Sequence, residues 1–215
     1  MRSPDPPEAW LHAKKKSLRP SEQRRKDVAA ERRAWRAWLP TVDMRRLVFL
    51  DETGAKTNMT RGYARSRKGR RAVDCAPHGH WGTTTLTAAV TWNSAIAPMV
   101  LDGSMDGVAF EAYVEQVLIP ALPPGSIVVM DNLSAHKSPT VARLLRDAGA
   151  EVRYLPPYSP DFNPIEKMWS KIKSILRSLK PRTQEALYDA VAAALREVSP
   201  TDIQGYFLNS CVAIQ

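Results

Sequence analysis

Two uninterrupted runs of four apolar residues, LVFL at 47–50 and IVVM at 127–130, constrain this chain more than any other feature. Runs this short read as strands buried on both faces of a sheet. Each ends directly in an aspartate, Asp51 or Asp131. If the two strands are parallel neighbours, both carboxylates emerge at one sheet edge, where ligand sites of such folds lie. For either aspartate alone, a charged residue marking the strand's exit to solvent explains as much.

The segments around these runs follow a readable order. Residues 83–92 are β-branched and 96–101 form a further strand candidate after a turn at Asn93-Ser94, so the first three strands suggest a meander. Helical periodicity covers 108–122, 138–148, 164–179 and 183–198, with a strand at 151–155 and a short last helix near 201–209. Together they predict an α/β domain with a mixed central sheet flanked by helices. Before it, 21–39 predicts a helix with Val28, Trp35, Trp38 and Leu39 on one face and arginines over the rest. That apolar face is expected to dock on the protein's own core.

The formal charge of +9 is concentrated near the start: residues 1–46 hold 13 Lys/Arg against 6 Asp/Glu. Residues 1–45 therefore read as a basic helical linker arm and 46–215 as a more balanced folded domain, with a polyanion such as DNA as partner. No apolar run approaches a membrane span and the first residues lack a signal peptide, so a cytoplasmic protein is expected. Cys75 and Cys211 match no disulfide or zinc pattern and are expected as thiols.

A third carboxylate candidate, Glu166, lies in the segment Asn163-Pro164-Ile165-Glu166 that opens a long helix. A capping box between Asn163 and Glu166 accounts for these residue types without catalysis, but does not exclude metal binding. Three oxygen ligands, Asp51, Asp131 and Glu166, suit Mg²⁺, and two ions about 3.5–4 Å apart could activate the attacking oxygen and stabilise the leaving oxygen of a phosphodiester. Glu52 is expected on the opposite side of its strand in a supporting role, and Asn132 and His136 are candidates to orient a carboxylate, water or phosphate. His78 and His80, without further partners, read as structural. The cations Lys56, Arg61, Arg65, Arg67, Lys68, Lys173 and Arg177 are candidate DNA contacts, with a solvated basic loop equally able to explain the first five.

The wording around these residues resembles a known family. LVFLDETGAKTNM, CAPHGHWGTTT, IVVMDNLSAHKS and YLPPYSPDFNPIEKMWSKIK are similar, in order, to the blocks of DDE transposases of the bacterial insertion-sequence-630 group, relatives of mariner elements. The 34 residues between Asp131 and Glu166 agree with that group. The resemblance implies a ribonuclease-H-like fold, and Asp51, Asp131 and Glu166 as the catalytic, metal-holding triad with Mg²⁺ or Mn²⁺. It also implies cleavage at element ends, transfer of the 3′-hydroxyl into double-stranded target DNA at TA sites, a homodimer in the active complex, and a bacterial, nucleoid-associated setting. Phe162 departs from the family's PDLNPIE wording, which usually has leucine there. Residues 1–45 show no helix-turn-helix pair of the kind with which relatives begin. An inactive DNA-binding remnant and a host nuclease or resolvase on the same fold are the alternatives.

Overall fold

The computed structural model describes residues 20–77, 82–133 and 135–212; His78 and His80 lie outside them, as do Lys14, Lys15 and Lys16. Five strands, β1 (Leu47–Ala55), β2 (Thr84–Val90), β3 (Ala95–Asp102), β4 (Ile127–Met130) and β5 (Glu151–Tyr154), form one sheet in the order β3-β2-β1-β4-β5. The β1-β2-β3 meander is antiparallel, whereas β4 and β5 run parallel to β1. The sheet is thus mixed, with β1 central.

Strand periodicity divides the core into two layers. Leu47 and Phe49 of β1 with Ile127 and Val129 of β4 face one layer, while Val48, Leu50, Val128 and Met130 face the other. The first layer is covered by α1 (Lys26–Trp38), α5 (Ile165–Leu179), α6 (Gln184–Arg196) and α7 (Pro200–Phe207). The second is covered by α2 (Gly107–Tyr113), its continuation through a π-turn at Val114–Leu118 into α3 (Ile119–Ala121), and α4 (Pro139–Asp147). Both faces being occupied explains why the two four-residue runs carry no polar position.

Three local features depart from simple periodicity. The helix expected at 108–122 is interrupted because Pro120 has no N–H for the Gln116 carbonyl and its ring crowds that carbonyl; the wider π-turn spans this point. β3 carries an extra residue at Ala97 (φ 51°), beside Pro98 on this edge strand, and the Tyr113 hydroxyl donates to the Ala97 carbonyl at 2.8 Å. β1 continues to Ala55 through the polar Asp51-Glu52-Thr53-Gly54, pairing with β2 along that length.

The helix expected over 21–39 begins as a 3₁₀ turn (Ser21–Arg24) before α1. Its apolar face does dock on the core, through Trp35 and Leu39. Arg32, counted by its charge with the solvent face, is instead buried in that stripe. Both cysteines are free thiols, and no helix among the described residues is long and apolar enough to cross a membrane.

Candidate active site

Parallel pairing of β1 with β4 sets Phe49 opposite Val129, and the same register carried two residues further sets Asp51 opposite Asp131. Strand alternation turns both toward the layer that holds α5, so the start of that helix brings Glu166 to the same place. Asp51, Asp131 and Glu166 line one cleft of about 450 Å³, walled by Asn132, Leu133, Asn163 and the segment from Leu155 to Pro160.

Each aspartate is held by directed hydrogen bonds. The Glu52 amide donates to Asp51 Oδ1 at 2.8 Å, and Asn163 Nδ2 donates to Asp51 Oδ2 at 3.3 Å. The Leu133 amide donates to Asp131 Oδ1 at 2.9 Å, and His136 Nδ1 lies 2.6 Å from the same oxygen. His136 is 1 % exposed, its ring tilted against Phe110 at 4.3 Å, with Nε2 3.4 Å from Glu52 Oε1. Glu52 and Asp131 therefore grip one imidazole from its two nitrogens, which orients Asp131 as a hydrogen-bonded partner orients a ligand. Asn132 instead ties its amide to the Leu155 carbonyl, joining the ends of β4 and β5.

The capping box expected between Asn163 and Glu166 does not form. The helix is capped at Pro164 with no side-chain hydrogen bond, and the Asn163 amide reaches Asp51 instead. Asn163 is buried, and its Oδ1 has no hydrogen-bond partner among the described residues. The Asn163 backbone N–H, which a reciprocal Glu166 bond would need, donates instead to the Pro160 carbonyl at 3.1 Å.

Electrostatics mark the cleft as short of positive charge. Burial, together with Glu166 and Asp131, pushes Asp51 up to about 7 against the lowering effect of the Glu52 amide and His136. Desolvation likewise raises Glu166, with Asp131 adding to it and Lys173 opposing. For Asp131, desolvation is outweighed by the His136 hydrogen bond, the Leu133 amide and the charges of His136 and Lys137, and the carboxyl stays below its ordinary range. Desolvation of His136 is outweighed in the same way by Asp131 and Glu52, which lift it to about 9. The imidazolium thus serves Asp131 and Glu52, while Asp51 and Glu166 repel one another across the cleft.

Among the described residues no three acidic, histidine or cysteine side chains are drawn together closely enough to hold a metal ion; what speaks for one is the donor chemistry of the cleft. An open set of carboxylates in a water-accessible cleft is what a hard divalent ion that keeps several waters requires, and the raised Asp51 is what such an ion would relieve. The residues present fit a divalent cation.

The candidate cations fall into two groups. Lys173 and Arg177 continue the Glu166 face of α5 and are half-buried. Lys56, Arg61, Arg65, Arg67 and Lys68 are exposed on the segment between β1 and β2, away from the carboxylates. That segment is anchored to the far end of α5. Arg61 donates to Ser178 Oγ at 2.8 Å, Asp74 pairs with Lys180 at 2.7 Å, and Arg182 donates to the Thr57 and Met59 carbonyls at 2.8 and 3.2 Å.

Sequence reasoning missed two residues of this neighbourhood. Asn163 looked like a local cap, and nothing in a local pattern reveals a partner 112 positions away. Arg32 was legible in principle, because it stands four residues after Val28 and three before Trp35, on the apolar stripe itself.

Known proteins share both sequence and shape with this chain. The family described as DDE superfamily endonuclease matches residues 46–188. The transposable element Tcb1 transposase of Caenorhabditis briggsae is 24% identical over 135 residues, covering 60% of this chain and 50% of that protein; the match spans half the relative's length. The mariner Mos1 paired-end complex with Mn superposes with a TM-score of 0.77 at 16% identity, covering 95% of this chain and 67% of that one. The catalytic domain of Mos1 mariner transposase gives 0.61 at 13%, covering 95% and 97%. The fold is thus ribonuclease-H-like, and with two-thirds of its length matched to one family, the chain belongs to the DDE superfamily of endonucleases.

Proposed function

We propose that this chain is the catalytic domain of a DNA transposase of the insertion-sequence-630 type, cutting transposon ends and joining the freed 3′-hydroxyl to target DNA. The observation that carries this reading is the meeting of Asp51, Asp131 and Glu166, from two strand ends and a helix start, in one cleft. The likeness to Tcb1 transposase and to Mos1 complexes with a transposon end, Mn or Mg supports DNA as substrate and a divalent ion as cofactor.

Asp51, Asp131 and Glu166 would hold Mg²⁺, or Mn²⁺ in its place, as a pair of ions. When bound, such ions supply Lewis-acid activation of the attacking oxygen and charge stabilisation of the leaving oxygen. The chain's own work is positioning. His136, held by Glu52, keeps one oxygen of Asp131 fixed at the cleft wall. The Glu52 amide on Oδ1 and Asn163 on Oδ2 hold both oxygens of Asp51, so both aspartates enter the reaction with their rotamers set. Lys173 and Arg177 extend the Glu166 face as a track for phosphates, and Lys56, Arg61, Arg65, Arg67 and Lys68 offer a second one; such contacts hold the duplex in register without reading bases. Target choice at TA follows from the ease with which that step unstacks and kinks. Two copies acting on two ends form the working complex.

All three carboxylates are present with their residue types intact, and no observation favours an inactive remnant. Incubation with pre-nicked transposon-end DNA and Mg²⁺ or Mn²⁺ tests the proposal. Strand transfer that disappears in Asp131→Asn supports it. Salt-sensitive binding without chemistry points to a remnant, and hydrolysis without joining to a nuclease.

A further inference from the structure

The Arg32 side chain is 5 % exposed, and among the described residues its hydrogen bonds and ring contact reach the loop that precedes Glu166. Nη1 and Nη2 donate to the two oxygens of Asp161 at 2.9 and 2.6 Å, in the parallel two-bond geometry that only arginine offers. Nη1 also donates to Ser159 Oγ at 2.7 Å, and Ser159 in turn donates to the Pro157 carbonyl at 3.0 Å. The guanidinium carbon lies 4.2 Å from the centre of the Phe162 ring, with Trp35 on that ring at 6.5 Å and Arg36 at 5.2 Å. From the turn before α1, Gln23 Nε2 donates to the carbonyl of Tyr158, a residue held at φ 55° on the lip of the carboxylate cleft.

Taking a guanidinium out of water is expensive, and an apolar residue in the α1 stripe would anchor the helix at lower cost. α1 is already docked by Trp35 and Leu39. What Arg32 adds is direction: one side chain specifies the positions of residues 159, 161 and 162. The next residue, Asn163, bonds Asp51, and Glu166 follows within one helical turn. Phe162 provides the aromatic face on which the fork rests.

We infer that Arg32 is a positioning residue for the carboxylate cleft: it latches the 158–162 loop from outside and so sets Asn163 against Asp51 and Glu166 against the other two acids. The inference rests on the reading of the three carboxylates as the metal site.

Arg32→Met separates positioning from stability, because it keeps the length and packing of the side chain and removes the fork. In the metal-free, folded variant, Mn²⁺ affinity measured by electron paramagnetic resonance is expected to fall about tenfold, the usual effect of losing a residue that orients ligands. The Mn²⁺ concentration for half-maximal cleavage rises by the same factor, while the rate at saturating Mn²⁺ falls less. Amide exchange across residues 161–168 becomes faster. Arg32→Lys keeps the charge without the fork and should not restore the affinity. If Arg32→Met fails to fold, Ser159→Ala is expected to shift Mn²⁺ affinity and loop exchange in the same direction by a smaller amount. Variants that fold with wild-type Mn²⁺ affinity and loop exchange overturn the latch alone. Wild-type protein that binds no Mn²⁺ overturns the carboxylate reading beneath it.

Discussion

The first two carboxylates and the third reach the cleft by different physical routes. Asp51 and Asp131 are set by backbone pairing: the parallel register of β1 and β4 aligns them, with fully buried residues immediately before each. Glu166 sits beyond a proline-rich loop that has no strand to align it, and its approach depends on side chains from α1 and on Asn163. Two carboxylates are thus fixed by the core and one by tertiary contacts that can be altered without touching the sheet. Variants on the two sides of this division should fail differently.

The largest effect is expected on the strand side. Asp51→Asn or Asp131→Asn should leave the fold intact and lower cleavage of pre-nicked DNA by about a thousandfold or more, since stabilisation worth several kcal/mol is lost with the metal; single-turnover kinetics measure it. Next comes His136→Ala, which leaves Asp131 and Glu52 facing one another without their shared imidazole. Mn²⁺ affinity should fall by about 10–100-fold, read by calorimetric titration. An unchanged affinity would mean that the Asp131 loop is held by its backbone alone.

On the loop side, Asn163→Ala removes one charge-assisted bond to Asp51, and a cost near 1.5 kcal/mol corresponds to a drop of about 3–6 °C in Tm for a domain of this size. Scanning calorimetry of the metal-free protein checks this. A loss of metal affinity without loss of Tm would show that Asn163 serves the site more than the fold.

pH supplies a further contrast. Asp51 is raised from 3.8 to about 7 in the folded protein, so the unfolded chain gives up this proton more readily than the native one. Its contribution to stability is complete below about pH 4 and is lost as pH rises to about 7. Metal-free Tm should therefore carry a downward component across that window, and Asp51→Asn should remove it. The Asp131–His136 pair works in the opposite sense at the acid end, where a lowered carboxylate loses its contribution as pH falls. An Asp51→Asn profile parallel to wild type would show that Asp51 is not desolvated in solution.

How far the sequence was legible follows the same division. The β4 boundaries and the ends of α5 could be read because a two-faced strand and a 3.6-residue stripe leave local marks. The extension of β1 through Asp51-Glu52-Thr53-Gly54 left none, since its pairing with β2 is a long-range property. The three acids are legible from two strand ends, a helix start and motif wording, and the fold brings them to one cleft. The Asn163–Asp51 bond and the Arg32 latch were not recognised, because each makes sense only once distant segments meet. The candidate cations illustrate a further limit: charge is visible in sequence, but its target is not. The smallest predicted effect concerns them. Arg65→Ala and Lys68→Ala should weaken DNA binding at all sequences alike, each reducing the slope of log K against log salt by about 1. An unchanged slope would assign that segment to solvent or to the partner copy.

The most direct measurement is a crystal structure with Mn²⁺ located by its anomalous scattering. Manganese within about 2.1 Å of oxygens from both Asp51 and Asp131, with Glu166 completing the site directly or through water, is the predicted result. Manganese bound elsewhere, with the cleft between β1, β4 and α5 empty at saturating concentration, would contradict the account.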